Sequence, residues 1–223
     1  MARVVIDIET LGAPLDSFDE TQQEYLLKFA ESEKERQEAL QKLSLYPLTS
    51  RVIAIGLLNP DTGRGKVLFH ADAPSDEASA DDAIRFIAGD ERSMLEAFWK
   101  DMTRYEQFIT FNGRGFDCPF LLLRSALLGI RPTRNLMPYR YNPEIHCDLL
   151  EQFTFYGASR KFNLDFYCRA FGIESPKSHG ITGLDLGELF RAKRFREIAE
   201  YNLGDLRATA ELFRRWEEFL SFK

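Results

Sequence analysis

The chain has 223 residues, with 29 Lys+Arg against 35 Asp+Glu and a formal net charge of −6, which argues against a generally basic nucleic-acid binder but leaves a nucleic-acid enzyme open. No apolar run reaches the roughly 20 residues of a membrane helix, and the N-terminal apolar run is broken by Asp7, so neither a membrane partner nor a secretory signal is expected. Cys118, Cys147 and Cys168 form no C-x-x-C and have no histidine at zinc-finger spacing, which argues against structural zinc or a disulfide framework and fits a reducing, cytoplasmic setting.

The length suits one domain, expected over 1–223, with a charged segment, 13–50, inserted in it. Charge is segregated along the chain. Residues 1–103 hold 11 Lys+Arg and 20 Asp+Glu, whereas residues 104–223 hold 18 and 15. Contacts to a polyanion are therefore sought in the second half.

Arg3 to Thr10 reads as a buried strand, β-branched and apolar at Val4, Val5, Ile6 and Ile8. Asp7 and Glu9 interrupt it two residues apart, hence on one face. After Gly12 the chain turns polar. Ser17 and Glu20 have capping-box spacing, and 20–43 reads as one charged helix whose middle, 31–38, projects into solvent. This insertion is a solvated helical arm, a lid, or a docking arm for a protein partner. Arg51–Leu58 and Lys66–His70 read as a strand pair joined by the turn formers Asn59 to Gly63. Residues 72–83 are small and acidic, a surface loop. Ser93 can cap a helix that turns Leu95, Phe98, Trp99 and Met102 inward.

Gln107–Phe111 is the fourth strand, and Pro119 suits the first turn of a helix that Gly129 stops. Residues 130–143 are irregular, with three prolines. Helices follow at about 148–156, 162–171, 185–192 and 195–220. Strands that come first and alternate with helices only later predict an α/β sandwich on a mixed sheet whose first three strands meander.

Two further motifs carry chemistry. Phe111-Asn112-Gly113-Arg114-Gly115-Phe116-Asp117-Cys118-Pro119 places Asp117 at a helix start, as a cap or as an acid facing a cleft. Tyr201 and Asp205 lie four apart on the last helix, so hydroxyl and carboxylate share a face. Gly204, poor for a helix, suggests close approach to the backbone there. Among the histidines, His146 reads as a strand-end hydrogen-bonder and His179 as a solvated loop residue. Asp148 reads as a helix cap.

Joined in this order, Asp7-Ile8-Glu9, Asn112…Phe116-Asp117 and Tyr201…Asp205 resemble the DEDD (DnaQ-like) superfamily of 3′→5′ exonucleases. Asn, three residues, aromatic, Asp is expected by chance only about 0.05 times in this composition. Glu200 stands where the histidine branch carries its histidine, so the resemblance is to the tyrosine branch. The Phe-Asn-Gly…Phe-Asp-x-Pro run is most similar to the proofreading exonuclease domain of family B DNA polymerases, here with no polymerase attached. The likeness spans 3–220 apart from 13–50.

The resemblance implies a ribonuclease-H-like fold, a five-stranded mixed sheet flanked by helices. It implies that Asp7, Glu9, Asp117 and Asp205 hold two Mg²⁺ or Mn²⁺ ions for an in-line displacement, and that Tyr201 orients or deprotonates the attacking water. Thr10 and Leu11 by their backbone, with the side chains of Asn112 and Phe116, would position the terminal nucleotide, and nucleoside 5′-monophosphates would be released. The expected substrate is DNA, single-stranded or with an unpaired 3′ end. The alternatives are an RNA-trimming relative and a non-catalytic nucleic-acid-binding module. Arg131, Arg134 and Arg140, with Tyr139 and Tyr141 beside the last, are candidate contacts for phosphates and bases.

Overall fold

The computed structural model describes residues 2–174, 180, 182–183 and 185–222. His179 lies outside the described residues. The strands are β1 (Arg3–Gly12), β2 (Ser50–Leu58), β3 (Gly65–His70), β4 (Ser75–Ala78), β5 (Ile84–Gly89), β6 (Gln107–Thr110) and β7 (His146–Asp148). They form one mixed sheet in the order β4-β5-β3-β2-β1-β6-β7. β1, β2 and β3 meander antiparallel, while β6 and β7 add parallel to β1.

The helices are α1 (Glu20–Leu27), α2 (Glu33–Lys42), α3 (Glu91–Met102), α4 (Asp117–Leu127), α5 (Leu149–Phe153), α6 (Leu164–Ala170), α7 (Leu186–Arg191) and α8 (Phe195–Phe219). The period of two in β1 divides the core. Val4, Ile6 and Ile8 pack with Leu95, Phe98 and Trp99 of α3 and with Phe120 and Leu121 of α4. Val5 packs on the other face with Leu203, Leu206 and Phe213 of α8. Asp7 and Glu9 continue the Val5 side, so the alternation itself aims both carboxylates at α8.

Among the described residues the sheet has seven strands, not five. One edge is built by β4 and β5, which the sequence reading did not count as strands, the former inside the stretch read as loop. β5 carries a legible alternation, with Ile84, Phe86 and Ala88 buried. β4 is exposed at all four positions and exists by pairing antiparallel to β5. The charged insertion also differs from one continuous helix. Asp19, not Ser17, caps α1 with Gln22 in a reciprocal box, and Ser32 with Glu35 starts α2. A second capping box within the stretch gives the backbone N–H groups of Glu31, Ser32 and Glu35 side-chain partners, so a new helix begins there. Likewise Asp90, not Ser93, caps α3, accepting the Ser93 N–H at 2.8 Å.

Candidate active site

β1 pairs with β6 only over Arg3–Val5. Beyond Val5 the two strands part, and a crevice opens at the carboxyl ends of the parallel strands, the usual ligand position in open α/β sheets. Asp7 and Glu9 enter it from β1, and Asp205 comes from α8. One carboxylate oxygen of each lies within 4.8 Å of the others. Asp117 approaches from the opposite layer. It is the first residue of α4, buried to 4%, and its Oδ1 accepts the Ile8 N–H at 3.0 Å, between the two acids of β1. The helix cap is Phe116 rather than Asp117.

These acids are electrostatically frustrated. Burial, followed by the charges of Asp205, Glu9 and Asp117, pushes the Asp7 carboxyl well above its ordinary range. Burial and the charges of Asp205 and Asp117 do the same to Glu9. Asp117 is raised to about 7, again mainly by burial. A set of hard oxygen donors that repel one another in a part-buried crevice suits a divalent cation.

Tyr201 lies beside this cluster. Burial first, then the charge of Asp205, pushes its phenol up, and the hydroxyl hydrogen-bonds the Asp205 carboxylate. Gly204 and Tyr201 line a neighbouring cavity of about 500 Å³ with Phe86, Arg196 and Arg207.

The loop before α4 is held by Asp148, which accepts the backbone N–H groups of Asn112 and Arg114 at 2.9 Å each. It also caps α5 through the Leu150 N–H, the role read from sequence. Asn112 has φ 62, a left-handed conformation that asparagine tolerates, and this bends the chain toward Asp117. His146 Nε2 lies 2.9 Å from the Thr110 hydroxyl, a strand-end contact as expected.

The remaining candidates separate. Thr10 and Phe116 share a cavity with Glu9, whereas Leu11 lines a different one with Ala13, Phe18 and Phe190. Arg134 is not placed to meet a strand in the crevice. Its guanidinium donates to the carbonyls of Tyr105 and Glu106 and stacks 5.3 Å from the centre of the Phe108 ring, at the start of β6 and therefore at the opposite end of the sheet. Arg131 is exposed. Arg140 pairs with Glu151 at 2.7 Å, close to Arg114, which donates to the carbonyl of Pro138.

One residue of the site escapes the sequence motifs. Asn202 is fully buried on α8, and its amide donates to Asp7 Oδ2 at 2.7 Å. The signal was a polar residue inside the apolar stripe formed by Ile198, Ala199, Leu206 and Phe213.

Residues 48–221 match the sequence profile of a family described as "Predicted 3'-5' exonuclease related to the exonuclease domain of PolB". A curated relative, DNA polymerase 1 of Sulfurisphaera ohwakuensis, is 27% identical over 177 residues. That alignment covers 72% of this chain and 19% of the polymerase, so the chain spans about a fifth of its relative. The family B DNA polymerase of Pyrobaculum calidifontis superposes with a TM-score of 0.61 at 20% identity, over 98% of this chain and 25% of that one, a likeness of fold.

Proposed function

Because the chain belongs to the family of predicted 3′–5′ exonucleases related to the exonuclease domain of PolB, we propose that it hydrolyses phosphodiester bonds from the 3′ end of DNA, single-stranded or unpaired at that end, and releases nucleoside 5′-monophosphates. The observation that carries this reading is the convergence of Asp7, Glu9 and Asp205, with carboxylate oxygens within 4.8 Å of one another at the end of β1. With Asp117 they would hold Mg²⁺ or Mn²⁺. Bound cations would supply the positive charge that admits a polyanion to four acids, and Lewis-acid polarisation of phosphate and water.

The chain's own groups divide the other tasks. Tyr201 orients the attacking water. Its phenol is pushed up, first by burial and then by the charge of Asp205, whose carboxylate its hydroxyl bonds. This is the chemistry of a tyrosine-branch enzyme. Thr10 and Phe116, which share a cavity with Glu9, bear on the terminal nucleotide. Asn112 acts through the shape of the loop that presents Phe116 and Asp117.

The test is cleavage of 5′-labelled single-stranded DNA, the matching RNA, and duplex DNA with paired or frayed 3′ ends, each with Mg²⁺, Mn²⁺ or EDTA. A ladder shortening from the 3′ end of single-stranded DNA, abolished by EDTA, is expected. Faster cleavage of RNA would make the chain an RNA-trimming enzyme. No cleavage of either would leave a binding module.

A further inference from the structure

The second cavity beside the acids is built partly by the segment that sets this chain apart from the compact DEDD pattern. It has a volume of about 620 Å³, within the size range of small-molecule sites. β1 supplies Glu9 and Thr10, and Phe116 comes from the start of α4. Gln41, Lys42 and Leu45 of the insertion line the same space.

The insertion's inner half is anchored there. The Thr10 hydroxyl donates to the Ser44 carbonyl at 2.7 Å, and the Thr49 hydroxyl donates to the Leu43 carbonyl at 2.7 Å. Leu43 is buried to 5%. A Cβ on Gly12 would stand 3.0 Å from the Ser44 nitrogen, so the turn of 43–45 lies against the end of β1. A part held this way is a wall of the cavity.

The wall also carries charge. Among the described residues, the acids lining the cavity are Glu9 and Glu38, and Lys42 is its single Lys or Arg. Glu38 lies 4.0 Å from Lys34. Lys42 pairs with no acid among the described residues. A strand drawn toward four carboxylates needs cations where its phosphates pass.

We propose that the insertion is part of the substrate site: Leu45 closes the cavity that Thr10 and Phe116 present to the terminal nucleotide, and Lys42 contacts a backbone phosphate of that strand. The inference rests on the exonuclease reading and assigns it a subsite.

The experiment compares the wild-type chain with Lys42→Ala, Lys42→Arg and Leu45→Ser. It measures Mg²⁺-dependent cleavage of a single-stranded oligonucleotide, its affinity in Ca²⁺ against salt, and each thermal midpoint. Lys42→Ala is expected to raise KM about tenfold, the size of one lost charged hydrogen bond, with kcat within about twofold. The salt slope of binding should fall by about 0.7, one phosphate's worth for a single strand. Lys42→Arg should restore both, and Leu45→Ser should raise KM without altering the slope.

Lys42 also stands in the last turn of α2, where a cation favours the helix dipole. A lysine serving only that end would lower the midpoint in Lys42→Ala and leave KM and slope as they were, which overturns the proposal. A wild-type chain that cleaves neither DNA nor RNA would instead sink the exonuclease reading, and this inference with it.

Discussion

The Asn202 amide donates to Asp7 Oδ2 at 2.7 Å, and the room for that bond comes from Gly56. Gly56 is the β2 residue directly across from Asp7. A Cβ there would stand 2.2 Å from Asn202 Oδ1 and 2.3 Å from Leu206 Cδ1. The glycine thus lets α8 settle onto the sheet where Asp7 needs a donor. A hydrogen bond to a charged group is worth roughly 1.5–3 kcal/mol. Asn202→Ala is therefore expected to weaken Mg²⁺ binding about tenfold or more, read as the midpoint of metal-dependent thermal stabilisation, and to lower kcat. Gly56→Ala should lower the metal-free unfolding midpoint as well, since overpacking typically costs about 1–3 kcal/mol. An Asn202→Ala chain with the wild-type metal midpoint would show that the bond does not orient Asp7.

A second expectation follows from the repulsion among the acids. Glu9 is 8% exposed and carries a carboxyl raised by burial and by its acidic neighbours. Glu9→Gln keeps the shape and removes one charge. In EDTA at pH 8 the variant should unfold at a temperature equal to or above wild type, while turnover is lost. Added Mg²⁺ should stabilise wild type more than the variant, because only a cation-binding set of acids gains from the ion. If Glu9→Gln lowered the metal-free midpoint by several degrees, the acids would be supporting the fold rather than straining it.

What the sequence made legible follows physical range. Asp7 and Glu9 were placed by strand alternation, and Tyr201 and Asp205 by helical spacing. Asp117 followed from the glycines and proline around it. All of these are local periodicities. Asn202 needed Gly56, which lies 146 positions earlier in the chain, and no local pattern reports on such a pairing. The place of Arg134 at the far end of the sheet was hidden for a related reason. Its proline-rich surroundings say that the segment is irregular but not which end of the sheet it visits. β4 was invisible because Ser75–Ala78 has no apolar face and borrows its order from β5. The break between α1 and α2 was readable in Ser32 and Glu35, a start signal masked by continuous charge.

His146 gives a pH dependence separate from the acids. It is 1% exposed, stacked on Phe108, and its pKa falls from the usual 6.5 to about 3, first through burial and then through Arg114. A histidine depressed in the folded chain takes up its proton in the unfolded chain first. Its contribution to stability is complete above the unfolded value of about 6.5 and is lost as pH falls from there toward about 3. Each unit in that window removes up to about 1.4 kcal/mol. His146→Gln can keep a bond to Thr110 and stays neutral. Urea unfolding at pH 7.5, 6 and 5 should show a smaller acid loss in the variant. Parallel curves for the two proteins would mean that His146 is protonated without penalty.

The arginines of the proline-rich segment are expected to divide by their surroundings. Arg134 bonds two backbone carbonyls and lies over Phe108, and burial lowers its pKa. Its replacement by alanine leaves the carbonyls of Tyr105 and Glu106 without that donor, so Arg134→Ala should lower the unfolding free energy by about 1–3 kcal/mol. It should leave the salt slope of single-strand binding unchanged, because β6 begins at the end of the sheet away from the acids. Arg140 lies on the other side of this division. Its partner Glu151 also lies 3.6 Å from Arg114, beside the loop that presents Asp117. Arg131 is exposed. Replacing Arg131 and Arg140 together should reduce the slope by about 1.4 if each meets one phosphate. The double variant should keep its unfolding midpoint within a degree or two, since exposed ion pairs contribute little. Should Arg134→Ala alone flatten the salt dependence, the strand must pass the start of β6, away from the acids.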